Sequence, residues 1–176
     1  SQYLSKEDFE KVNQIVSSLS LEKMINFKYE DLAIGEHALA GTLRFFARAN
    51  LEERLGAEVL QRYFKAALLT AFAAQKIFQT YSFESVVFHH GIYIPQGIIG
   101  EVARKYKIRV VNWNPAYRKK SFIFSHNDTY HHTLMNEPVE KWENIKWDKK
   151  TEMQILDYLK SRWQGTQDWI WFHEKP

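Results

Sequence analysis

The sequence predicts an α/β fold built around a parallel pair of strands joined by a helix, and three observations predict it. Ser85-Val86-Val87-Phe88 is a short apolar run that leads into His89-His90-Gly91. An amphipathic stretch follows from Ile98 to Lys107, and Ile108-Arg109-Val110-Val111-Asn112-Trp113 then repeats the pattern of a buried strand. Strand, helix and strand in that order form a β-α-β unit, in which the strands are parallel and the crossover is right-handed. Parallel strands end on the same edge of a sheet, and ligands of open α/β sheets bind just outside it. The paired histidines and the Asn112-Trp113-Asn114 group are therefore expected to face one crevice.

The remaining elements are read in chain order. Ser5 is a candidate N-cap with Asp8 three residues on, and Phe9, Val12, Ile15, Val16 and Leu19 recur at helical spacing, which predicts a helix over Lys6 to Ser18. From Asn26 to Gly35, the alternation of Phe27, Tyr29, Leu32 and Ile34 fits a short strand or an apolar-anchored loop, and both stay open. Glu36 to Ala49 is expected to be helical, and Leu51 to Tyr81 to form one long helix or two that break at Gly56. Within it, Val59, Leu60, Phe64, Ala67, Leu68, Ala71, Phe72 and Phe78 spread over more than one face, so this helix is expected to be packed on two sides.

Asn114-Pro115 closes the second strand, because proline lacks the N–H a ladder needs. Ser121 to Ser125 is a third strand candidate, followed by the polar, histidine-rich stretch Ser125 to His132. Lys149 to Trp163 is predicted to be the last helix, with Met153, Ile155, Leu156, Leu159 and Trp163 as its apolar set and Gly165 as its stop. The tail Asp168-Trp169-Ile170-Trp171-Phe172-His173 is aromatic enough to require a packing surface. The whole chain, 1–176, is expected to form a single α/β domain. Its helical part covers about 5–81, its β-α-β core about 85–125, and its final helix and tail about 148–176.

Composition narrows the function classes. With 176 residues, 45% of them apolar and 15% aromatic, the chain can fill one core of ordinary size. It has no cysteine, which removes disulfides and thiolate metal sites and suits a reducing cytoplasm. The longest apolar run, Ala66 to Ala74, is far short of the roughly 20 residues a bilayer crossing takes, so no transmembrane segment is expected. A formal charge of +3 from 24 basic and 21 acidic residues gives no argument for a nucleic-acid partner. Arg118-Lys119-Lys120 is the one basic cluster, read either as a solvated turn or, from its place after a strand end, as a ligand contact. Ser1-Gln2-Tyr3-Leu4-Ser5 has neither an initiator Met nor a signal-type apolar stretch, and the chain is expected to be a piece of a longer protein.

Two constellations carry chemistry. In His89-His90-Gly91, glycine permits a tight turn at a strand end, and the start of a helix follows near Gln96-Gly97. Either imidazole can serve as a general base on a hydroxyl, and the sequence leaves the choice open. The bland alternative is one histidine buried in the turn and one incidental. His126, Asp128, Tyr130, His131 and His132 form the second group, with Glu137 nearby. Their spacing matches no helical H-E-x-x-H pattern, so a loop that hydrogen-bonds a sugar or phosphate is preferred to a metal centre or to a loop that satisfies only itself. Gly91, Gly97 and Gly100 do not form the G-x-G-x-x-G fingerprint and there is no P-loop, which disfavours dinucleotide and P-loop enzymes. Trp142, Trp147 and Trp163 are read as core or interface residues.

Taken together, Tyr29-Glu30-Asp31-Leu32-Ala33-Ile34-Gly35, Leu43-Arg44-Phe45, Arg62-Tyr63, the segment Val86 to Gly97 and Arg109-Val110-Val111-Asn112-Trp113 resemble the N-terminal domain of bacterial two-domain glycosyltransferases of GT-B architecture. The resemblance is closest to the capsule-polysaccharide-biosynthesis group. It covers most of Phe27 to Pro138 and rests on the order and spacing of loose motifs. It implies a Rossmann-like parallel sheet flanked by helices, on the acceptor side of a transferase for surface polysaccharide. It also implies a C-terminal domain of the same parent chain that holds a nucleotide-sugar donor, a glycan acceptor, and no permanently bound cofactor or metal. The location implied is cytoplasmic, at most peripheral at the inner membrane face, and the isolated chain is expected to be inactive.

Carried onto this chain, the resemblance offers His89, His90 and Asp128 as catalytic candidates. Gly91, Gln96, Asn114, Arg118, His126, Tyr130 and His131 become candidates for substrate binding, with Arg118 and the helix start at Gln96 balancing negative charge. Two alternatives are kept: a metal-dependent hydrolase using His126, Asp128 and His131, and a non-catalytic α/β interaction module.

Overall fold

The computed structural model describes residues 2–51, 56–116, 118–133 and 137–167. Helices α1 (Lys6–Ser18), α2 (Leu21–Ile25), α3 (Ile34–Phe46) and α4 (Gly56–Thr80) precede strand β1 (Ser85–His89). Helix α5 (Gln96–Lys105) then leads to β2 (Arg109–Pro115) and β3 (Phe122–His126). Two four-residue helices, α6 (Tyr130–Thr133) and α7 (Glu140–Glu143), and the long α8 (Lys149–Gln164) complete the order.

Local signals explain most of these boundaries. Ser5 and Asp8 form a reciprocal capping box, with Ser5 N donating to Asp8 Oδ2 at 2.7 Å and Asp8 N to Ser5 Oγ at 3.3 Å. Asp8 also pairs with Lys76, which ties α1 to α4. The connector left open by the sequence is a minimal reversal. Glu30 and Asp31 both adopt positive φ, 47° and 70°, while Tyr29 and Leu32 exchange two backbone hydrogen bonds around them. Ala47 at +51° ends α3 three residues before the expected Ala49, and Gly165 at +62° ends α8. Gly56 is the first residue of α4, and residues 52–55, on which the expectation of a preceding helix falls, lie outside the described residues.

Helix α4 is the centre of the core. Leu60, Phe64, Ala67, Leu68, Ala71 and Phe72 pack with Val12, Met24, Ile34, Ala38, Ile98 and Val102, brought in by α1, α2, α3 and α5. The expectation of a helix covered on two sides is met. Tight backbone approach is part of this packing, because a Cβ at Gly35 would stand 2.1 Å from the Met24 carbonyl oxygen.

The sheet corrects the expected topology. β1 and β2 are parallel as foreseen, but β3 returns antiparallel to β2, giving a three-stranded mixed sheet in the order β1-β2-β3. The physical reason is length. Residues 116–121 can make a reversal, whereas a parallel crossover takes a dozen residues or more. The fold is α/β, a small mixed sheet flanked by helices.

Among the described residues, only one face of that sheet is covered. Val110, Asn112 and Ser125 are buried beneath the helical layer, where α5 packs on β1 and β2, while Val87, Phe122 and Phe124 on the other face are 57–62% exposed. The apolar set expected to bury α8 is also on the surface: Met153, Leu156 and Leu159 are exposed, and Trp163 is 87% exposed. The end of α8 is held by Lys119 N donating to Gln167 O at 2.9 Å. Trp142 and Trp147 are exposed as well, and the aromatic tail at 168–173 lies outside the described residues. Among the described residues, no helix is long and apolar enough to cross a membrane.

Candidate functional site

The site grows from the carboxyl end of β1. His89 is in register with Trp113 of β2, and the chain then turns through two successive residues of positive φ, His90 at +65° and Gly91 at +82°. Gly91 N donates to His89 O at 2.9 Å. Beneath this turn, the side chain of Asn112 is buried and so close that a Cβ on Gly91 would stand 2.2 Å from Asn112 Oδ1. Glycine is required here both for its conformation and for its lack of a side chain. The loop continues to a cis Ile94–Pro95 bond and into α5.

Between this loop, α3 and α4 lies an open crevice of about 240 Å³. Helix α3 supplies Gly41 and Arg44, α4 supplies Tyr63, the strand end and loop supply His89, His90, Tyr93 and Ile94, and α5 supplies Gln96. Gly41 leaves room for the Tyr63 ring, which a Cβ would meet at 2.7 Å. The Arg44 guanidinium lies 4.4 Å from the centre of the Tyr93 ring. The volume is below the range of about 300–1,000 Å³ usual for enclosed ligand sites, which suits one small ligand or one wall of a larger site.

His89 and His90 line the crevice with their rings edge to face, and His131 is stacked on His90. His89 and His90 have ring centres 4.0 Å apart, and His131 lies over His90 at 5.8 Å and 25°. His90 Nδ1 is 3.3 Å from the Tyr130 hydroxyl, and its carbonyl accepts from Thr129 Oγ1 at 2.6 Å. Burial lowers the pKa of His90 to about 4, with positive charge on His89, Arg44 and His131 acting in the same direction. Burial, then His132, also lowers that of His131. His90 is therefore neutral at pH 7, with Nδ1 facing the Tyr130 hydroxyl.

The other sequence candidates lie elsewhere. The Asp128 carboxylate accepts from Thr129 N at 2.7 Å and pairs with His132 Nδ1 at 3.1 Å, while its carbonyl accepts from Asn112 Nδ2 and Ser125 Oγ. Its geometry is that of a loop organiser, and it does not line the crevice. His126 is exposed in register with Val111, Asn114 pairs with Ile123, and Arg118 is exposed beyond β2; none of them lines the crevice. Tyr130 and His131 touch His90 and do not line the crevice themselves. Among the described residues no three His, Asp or Glu side chains converge as a metal site, so His126, Asp128 and His131 form no assembled ligand set.

Sequence reasoning passed over Arg44, Tyr63 and Tyr93 as site residues, and also His37. The signal was present in α3, where His37, Gly41 and Arg44 recur at helical spacing on one face. His37 is buried, with Nδ1 donating to Ile92 O at 2.9 Å and Nε2 standing 3.7 Å from Glu101 Oε1. Glu101 also accepts from Arg104 at 3.0 Å and from Ala33 N at 3.5 Å, so it supplies the cap that α3 lacks locally.

Burial raises the pKa of Glu101, but the facing His37 and the hydrogen bond and charge of Arg104 outweigh it and hold the group at about 2. A depressed carboxylate stabilises the fold above its unfolded pKa and loses that contribution as pH falls through the folded value. Unfolding free energy should therefore decline between about pH 4.5 and pH 2, and Glu101→Gln should remove about 2–3 kcal/mol at pH 7. Denaturant titrations of both proteins across this range test it. Parallel pH profiles for the two would refute the assignment.

Comparison with protein families, curated proteins and solved structures gives no match to this chain.

Proposed function

We propose that this chain is the acceptor-side domain of a glycosyltransferase, Rossmann-like in organisation and paired in the full-length protein with a domain that holds a nucleotide-sugar. The observation that carries this reading is the neutral His90 imidazole beside an open polar crevice at the carboxyl end of a parallel strand pair. A neutral imidazole can take the proton of an attacking hydroxyl, and Tyr130 and His131 fix the plane in which it does so. Tyr63 and Tyr93 offer aromatic faces, and Gln96 offers both a donor and an acceptor, as a hydroxyl-rich ligand requires.

In this mechanism the acceptor sugar lies in the crevice with one hydroxyl toward the His90 imidazole. The donor's anomeric carbon approaches from the open side, and the hydroxyl oxygen attacks it as the imidazole receives the proton. The bond to the nucleotide's phosphate breaks, and the nucleotide departs with that electron pair. The small, open crevice suits a surface completed by a second domain.

The test is a panel of nucleotide-sugars and short glycans presented to the full-length protein, reading binding by calorimetry and transfer by product mass. Saturable glycan binding together with transfer is expected. A protein that binds no glycan and transfers no sugar across the panel ends this reading.

A further inference from the structure

We infer that the crevice takes a sugar bearing an anionic oxygen group, a carboxylate or a phosphate, and that Arg44 is the residue that recognises it. The inference rests on the acceptor-side reading above and deepens it.

The charge around the crevice is one-sided. Arg44 is part of the lining and no Asp or Glu is. Among the described residues no carboxylate pairs with Arg44. Glu101, one turn into α5, is already engaged by Arg104, His37 and the start of α3.

The guanidinium is also held in place. Lying over the Tyr93 ring at 4.4 Å, it loses little further freedom when it binds, and its planar fork matches the paired oxygens of a carboxylate or phosphate. The wall opposite adds to the effect. Gln96 opens α5, whose first turn has no acidic residue and whose N-cap, Pro95, offers no side-chain acceptor; Gly97 N donates to Tyr93 O, but no carboxylate of that turn offsets the positive end of the helix beside the same space. The tyrosine rings and Gln96 supply the contacts that a sugar ring needs and a bare anion does not use.

The full-length protein should be titrated with glucose, glucuronate, glucose 1-phosphate and inorganic phosphate at low and high salt, alongside Arg44→Gln and Arg44→Lys. Circular dichroism would verify that each variant is folded. We expect the two charged sugars to bind about tenfold or more tightly than glucose, with the advantage reduced by salt, abolished in Arg44→Gln and partly kept in Arg44→Lys. Equal affinity for glucose and glucuronate, or a charge preference that survives Arg44→Gln, overturns the inference. Inorganic phosphate bound as tightly as glucose 1-phosphate overturns its sugar component. If neutral glycans are bound and transferred while charge makes no difference, this inference fails and the acceptor reading stands. If Arg44-dependent binding occurs without transfer to any acceptor, the acceptor reading fails alone.

Discussion

Replacing His90 with alanine is expected to lower the rate of sugar transfer by about 10²–10⁴-fold while the protein remains folded. The ring is part of the crevice lining, so its loss should remove the group that receives the acceptor's proton and leave most of the glycan contacts in place. The pH profile separates this role from a merely structural one. With its pKa at about 4, the free protein's imidazole stays a base throughout the neutral range, and kcat/KM should fall only as pH drops toward 4. An anionic ligand on Arg44 would cancel part of the charge that suppresses protonation of His90, so the acid limb of kcat should lie at higher pH than that of kcat/KM. Wild-type turnover in His90→Ala, or an acid limb of kcat/KM near 6.5, would sink the assignment.

Gly91→Ala is expected to be the most damaging small substitution near the site, at about 3 kcal/mol of unfolding free energy. Two costs combine: an L residue held at positive φ, and a methyl group driven to 2.2 Å from Asn112 Oδ1. Asn112 cannot yield easily, because its side chain is buried and its Nδ2 donates to Asp128 O at 3.0 Å. The strain should therefore pass to the loop that positions Tyr130 and His131, and transfer should fall further than stability alone explains. Gly56→Ala is the matched control, since among the described residues a Cβ there meets nothing closer than Leu51 Cδ2, at an ordinary 3.4 Å. Denaturant unfolding of the two variants decides the matter, and equal stability would mean that the Gly91 turn is not as described.

What the sequence disclosed, and what it hid, follows from the range of the interactions. The capping box at Ser5, the glycine stop at Gly165 and the β-α-β order are encoded within a few residues of where they act. Helix α2 escaped notice because five residues display no period, although Ser20 caps it by accepting from Lys23 N. His89, His90 and Gln96 could be placed because they border a strand end whose position was legible. Arg44 and Tyr63 could not, since they join the crevice only through the packing of α3 on α4 and of both beside the β1 loop.

Asp128 illustrates a different limit. A short acidic side chain beside Thr129 suits proton transfer and loop organisation equally well on paper, and only its bonds to Thr129 N and His132 distinguish them. The apolar set of α8 has the pattern of a buried stripe, yet periodicity reports which residues share a face and not what that face meets.

The bare side of the sheet governs how this molecule behaves in a tube. Among the described residues, Val87, Phe122 and Phe124 present an apolar patch beside an outer edge of β3 that pairs with no further strand, a combination that invites sticking between molecules. Crowding the chain during purification, or adding sulfate or phosphate salts that sharpen the aversion of such surfaces to water, will push copies toward one another and toward precipitation. Dilute handling, mild detergent or a polar replacement at Phe124 keeps them apart, and that solubility margin separates stickiness of the scaffold from chemistry in the crevice.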